Sequence, residues 1–173
     1  MIFTGFKRKS NQIFFNKKAS DFLKKSTVAS SEKIKHILVL LDDISEKDRI
    51  YKDLMVLFNL IEEDIDLIVF QRKAIKNHVL EEIITPKDFG WYGKIKSDKL
   101  KSVLTKKYDL LINYSKVDDL YSNLLLLQCK AAFKTGFAHL DGRFYDLTID
   151  CESSDFDVFN KELKKYLTIL NKI

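Results

Sequence analysis

Apolar residues along this chain fall into two kinds of block. Short continuous runs stand at 36–43 ("HILVLLDD"), 65–71 ("IDLIVFQ") and 108–115 ("YDLLINYS"), each running into polar residues. A strand reads this way when both of its faces are covered, as in a parallel sheet. The second kind has apolar residues recurring at steps of three and four. Residues 47–62 carry Ile50, Leu54, Leu57, Phe58 and Ile61 in that spacing, and 155–171 carry Phe156, Phe159, Leu163, Tyr166, Leu167 and Leu170. Such spacing draws one apolar stripe along a helix. Further helices are predicted over 9–26, over 97–107 with Ser97 as cap, and over 118–130 with Asp118 or Asp119 as cap. A strand is predicted over 132–140, Asp141-Gly142 marks a tight turn, and 143–150 reads as one more strand, with Ser154 capping the last helix. Residues 75–84 fit a short helix or an edge strand, and the Ser-rich 26–33 reads as a linker.

Strands alternating with helices predict an α/β protein with a Rossmann-like, three-layer architecture. Its sheet would be mostly parallel and covered on both faces, with the first strand near the centre. The expected organisation is a basic helical arm and linker over 1–35, followed by a single domain over 36–173. A length of 173 residues suits one core of that size.

Charge sharpens the distinction between arm and body. Residues 1–35 hold nine basic side chains, Lys7, Arg8, Lys9, Lys17, Lys18, Lys24, Lys25, Lys33 and Lys35, against Asp21 and Glu32. In a protein of net charge +5, that surplus of seven leaves the remainder acidic by two. The arm also contains Phe3, Phe6, Phe14, Phe15 and Phe22. A basic, aromatic-studded helix suits RNA, anionic lipid or an acidic protein face, or else it docks on its own domain with the lysines in water. Cys129 and Cys151 form no CxxC and no metal spacing, and no apolar run is long enough for a signal peptide core or a membrane span. The expected compartment is the cytoplasm.

In sheets of this kind ligands bind beyond the carboxyl ends of the strands. The loops there are 41–49, 71–78, 113–119 and 138–143. The first, "LDDISEKDR", contains no glycine. A dinucleotide fingerprint or a P-loop needs glycine so that the backbone can approach phosphate, so no nucleotide cofactor is expected. Asp42, Asp43 and Asp48 fit a general base or ligands for Mg²⁺; in the leading reading Asp42 and Asp43 instead satisfy the amides at a strand-to-helix turn. His36, His78 and His139 are scattered, and no metal site is expected. "DFGWYG" at 88–93 gathers Phe89, Trp91 and Tyr92 between Gly90 and Gly93, with Lys87, Lys94 and Lys96 around it. The three rings fit a stacking platform for a base or sugar; in the other reading Trp91 and Tyr92 plug the edge of the sheet while Gly90 and Gly93 let the chain turn.

The succession "ILVLLDD", a helix, "IDLIVF", "LEEIITPKDFGWYG", "YDLLINYS", a leucine-rich helix and "KTGFAH" resembles the first domain of the heptosyltransferase-type glycosyltransferases over about residues 36–140. That family places a glycine and a catalytic aspartate after its first strand, so the resemblance implies a base role for Asp42 or Asp43, although the glycine is missing here. The family's donor-sugar domain would begin where this chain ends. The chain is also similar to small, uncharacterised bacterial single-domain proteins sharing "DFGWxGK", "YDLLI" and a C-terminal amphipathic helix. The leading expectation is therefore a non-enzymatic binding module. Lys7, Arg8, Lys9, Lys17, Lys18, Lys87, Phe89, Trp91, Tyr92 and Lys94 would engage an anionic partner, RNA or an acidic protein surface. The alternatives are a transferase-derived enzyme subunit and a protein-interaction scaffold.

Overall fold

The computed structural model describes residues 2–23, 33–72 and 83–173. Most of the linker expected at 26–33 and most of the ambiguous segment 75–84 lie outside the described residues. In chain order the elements are α1 (Ile2–Leu23), β1 (Ile37–Leu41), α2 (Lys47–Phe58), β2 (Ile65–Phe70), β3 (Ile83–Ile84), α3 (Asp98–Thr105), β4 (Lys107–Asn113), α4 (Leu120–Gln128), β5 (Lys130–Phe137), β6 (Leu147–Ile149) and α5 (Phe156–Ile169).

Among the described residues the strands form one sheet in the order β3-β2-β1-β4-β5-β6, and every neighbouring pair is parallel. The first strand is central, as expected, and the winding direction reverses between β1 and β4. The fold is α/β, Rossmann-like and three-layered. Period-two alternation explains the continuous apolar runs. Leu38 and Leu40 enter a core with α1, α3 and α4, whereas Ile37, Val39 and Leu41 enter a second core with α2 and α5.

Three expectations are corrected. The strand expected over 143–150 is confined to Leu147–Ile149. Asp141 caps a short 3-10 turn over Gly142–Phe144, buried Phe144 anchors that turn, and the chain returns to place β6 parallel to β5. The last helix is capped by Asp155, whose side chain accepts from Val158 N at 3.1 Å, and not by Ser154. The first helix starts at Ile2, well before residue 9, because Lys7, Ser10 and Asn11 of its early turns are bonded to the body. Ser97 and Asp119 cap α3 and α4 as their positions predict. Gly136 on β5 has a local reason: an added Cβ would lie 2.8 Å from the Tyr145 ring. No helix among the described residues is long and apolar enough to cross a membrane.

Candidate functional site

The segment from Asp88 to Lys96 is a miniature hairpin. Phe89 and Ile95 form an antiparallel bridge, Gly90 N donates to Lys94 O at 2.6 Å, and Lys96 N donates to Asp88 O at 2.7 Å. Its tip closes with Lys94 N donating to Trp91 O, and the two central residues have positive φ, Tyr92 at 51° and Gly93 at 71°. Paired positive φ values are the mark of a tight I′-type turn. A tyrosine in the left-handed region carries about 1–2 kcal/mol of strain, so the surroundings must hold it there.

They do so through α1. Asn11 is fully buried; its Nδ2 donates to Gly90 O at 3.1 Å and its Oδ1 accepts from Gly93 N at 2.7 Å. Ser10 Oγ accepts from Tyr92 N, and Lys7 Nζ donates to Pro86 O and Phe89 O at 2.8 and 3.0 Å. From the other side Gln128 of α4 donates to Gly93 O. The helix lies so close that a Cβ on Gly93 would fall 2.3 Å from the Phe14 ring. Phe15 and Ala19 continue the contact into the core, Phe15 meeting Phe144 at 5.5 Å between ring centroids. Thus two segments separated by some eighty positions in sequence become one surface.

The predicted site residues divide on that surface. Trp91 is 46% and Tyr92 62% exposed, and Phe6 and Ile13 of α1, one turn either side of Ser10, are exposed as well. Arg8, Lys9, Lys17, Lys18, Lys87, Lys94 and Lys96 also face solvent, and none of them forms an ion pair among the described residues. Two of the predicted residues are placed differently. Phe89 is buried in the core, tilted against Tyr121 at 5.1 Å, so it offers no face to a base. Lys7 points inward to carbonyls, and desolvation, then the neighbouring Lys96 charge, lower its pKa, with Asp88 opposing. Packing and stacking are therefore divided within "DFGWYG": Phe89 plugs, and Trp91 and Tyr92 project.

A second feature lies above the sheet, at the carboxyl ends of β1, β2 and β4, where the winding reverses. A crevice of about 580 Å³ opens there, lined by Asp42, Asp43, Phe70, Arg72, Lys116 and Asp119, among others. Both aspartates at the end of β1 have partners. Asp42 Oδ2 accepts from Lys116 N at 2.6 Å. Asp43 caps the following 3-10 turn, accepting from Ser45 N and Ser45 Oγ at 3.0 and 2.7 Å, and lies 3.7 Å from Lys116 Nζ. The Ser45 hydrogen bonds and the Lys116 charge hold its carboxyl below the usual range, which makes it a poor proton acceptor. Among the described residues no three His, Cys, Asp or Glu side chains are grouped to hold a metal ion.

Arg72 is the residue of this region that the sequence reading did not single out. It follows β2 in the "QRK" stretch, at a strand tip where ligands bind, and that position was the available signal. Its importance rests on Asp119, 47 positions later, which accepts from Arg72 Nε at 2.9 Å.

No curated protein matches this chain, and no solved structure does. A family model described as "Family of unknown function (DUF6913)" matches residues 7–170, from the first turns of α1 to the end of α5, and the chain belongs to that family.

Proposed function

We propose that the protein is a binding module for single-stranded RNA, and that the Trp91–Tyr92 hairpin tip and the outer side of α1 form its contact surface. The observation that supports this reading is the bracket of Lys7, Ser10 and Asn11, which fixes two exposed rings beside a helix whose outward cations have no acidic partners among the described residues. Rings held on a rigid turn stack on bases whatever their sequence, each worth about 1–3 kcal/mol. Arg8, Lys9, Lys17 and Lys18, with Lys87 and Lys94, supply the charge that follows a phosphate backbone. Affinity for a ligand held this way falls steeply with salt because counterions are released.

An enzymatic reading would rest on Asp42 or Asp43, and both are engaged in holding loops. The test is fluorescence anisotropy with a labelled single-stranded RNA, using the full chain and an Arg8/Lys9/Lys17/Lys18→Gln variant. Lys7 is left intact because it bonds the body. Binding should weaken by about tenfold or more at low salt and show a shallower salt slope. Unchanged affinity in the variant would refute the proposal. Loss of RNA binding alongside retained capture of an acidic polypeptide, insensitive to nuclease, would assign the surface to a protein partner instead.

A further inference from the structure

We infer that the crevice around Arg72 binds a small phosphate ester whose body carries hydroxyl groups. Three cavities, of about 580, 400 and 390 Å³, all have Arg72 in their walls and so meet at this side chain. The largest falls within the range of small-molecule sites, roughly 300–1,000 Å³. It also lies at the strand tips where the winding reverses, the usual ligand position in such sheets.

Charge is segregated along the groove. Toward α1 and the Thr85–Lys87 turn the described walls carry Lys7, Arg8, Arg72 and Lys87, with Asp119 as their acid. Asp119 is fully engaged: Oδ1 accepts from Tyr121 N at 2.8 Å and Oδ2 from Arg72 Nε at 2.9 Å. That second bond orients the guanidinium and leaves its two terminal nitrogens without a hydrogen-bond partner among the described residues. The Arg72 side chain is 65% exposed. An oriented guanidinium with a free outer edge suits a phosphate, which it can meet with two parallel hydrogen bonds.

The opposite end offers acceptors. Among the described residues Asp43 Oδ2 faces Lys116 Nζ at 3.7 Å, longer than an ordinary hydrogen bond. Gln71, which lines the crevice, keeps Oε1 buried and without a partner among the described residues. A buried acceptor of this kind calls for a donor, and the hydroxyls of a sugar supply one. The polarity is the reverse of a dinucleotide site: the turn after β1 carries acids, and the phosphate faces α1.

This inference is independent of the RNA reading. The two share Arg8 and Lys87, but Arg72 belongs only to the crevice and Trp91 only to the outer surface. The test is calorimetric titration of the full chain with ribose 5-phosphate, inorganic phosphate and ribose, repeated on Arg72→Gln, Asp43→Asn and Trp91→Ala. Thermal melts check that each variant folds. Ribose 5-phosphate should bind more tightly than phosphate, and ribose alone should not bind. Arg72→Gln should weaken ribose 5-phosphate by about tenfold or more. Asp43→Asn, which keeps the Oδ1 cap, should weaken the ester and leave phosphate unchanged, and Trp91→Ala should change neither. Absence of ester binding, equal affinity for ester and phosphate, or an unaffected Arg72→Gln variant would overturn the inference.

Discussion

The two faces of the sheet are covered by helices in different ways. Beneath α2 and α5 the contact is aromatic and nearly all apolar: Tyr114, Phe137, Phe156 and Phe159 meet with centroid separations of 4.7–6.3 Å, and the Tyr114 hydroxyl is satisfied by Asn160. On the other face α4 and α3 pack through leucines, but α1 adds a polar bracket of Lys7, Ser10 and Asn11 closed on the hairpin tip. Apolar burial is non-directional and supplies most of the stability. Hydrogen bonds of fixed geometry set position, because a buried partner left unmatched is costly. One face thus holds the fold together, and the other holds two exposed rings in place.

The largest expected effect comes from breaking the apolar face. Phe159→Ala should cost about 3–5 kcal/mol, read as a fall in denaturant midpoint, since the ring is fully buried against the rings of Tyr114 and Phe137. RNA affinity per folded molecule should not change. Breaking the bracket should do the opposite in kind. Asn11→Ala leaves Gly90 O and Gly93 N unmatched, at about 1–3 kcal/mol for each buried group. Hydrogen exchange should rise in α1 and in residues 88–96 while the amides of β1 and β4 keep their protection.

Gly93→Ala tests the same contact from the hairpin side, at an expected cost of about 1–3 kcal/mol from its positive φ, with the Phe14 clash adding to it. A smaller effect is tied to pH. Burial pushes the Cys129 thiol up to about 11, so the folded state favours its neutral form. The associated stability is complete below the ordinary thiol range and is lost as pH rises from there toward about 11. Denaturant midpoints measured across that window should fall more for wild type than for Cys129→Ala. The smallest stability change belongs to Trp91→Ala, within about 0.5 kcal/mol, because the ring is half in water. That variant should nonetheless lose RNA affinity, which separates position from stability most sharply.

The difference between the faces also explains what the sequence made legible. The continuous apolar runs of β1, β2 and β4 and the helical spacing in α2 and α5 reflect burial, a property written residue by residue, and the layered sheet with a central first strand follows from them. The hairpin was legible only as a cluster of aromatics and glycines. Its turn uses Tyr92-Gly93 in place of the Asn-Gly pair that signals this geometry, and the tyrosine is held there by Ser10 and Asn11 from about eighty positions away. Phe89 and Trp91 are two positions apart and look alike in sequence; only the bridge to Ile95 and the contact with Tyr121 turn one inward. Arg72 was hidden for a related reason, since its orientation depends on Asp119. The strand expected over 143–150 shrinks to the short β6 because Asp141-Gly142 opens a 3-10 turn that takes up the residues before it.

Trp91 is the protein's sole tryptophan, so its emission reports on the hairpin tip alone. Titrating the full chain with oligouridylate at low salt tests the central claim most directly. Stacking predicts saturable quenching of that emission, at the same midpoint as the anisotropy change and reversed by added salt. Binding that saturates with the tryptophan emission unaltered, or no binding at all, would contradict it.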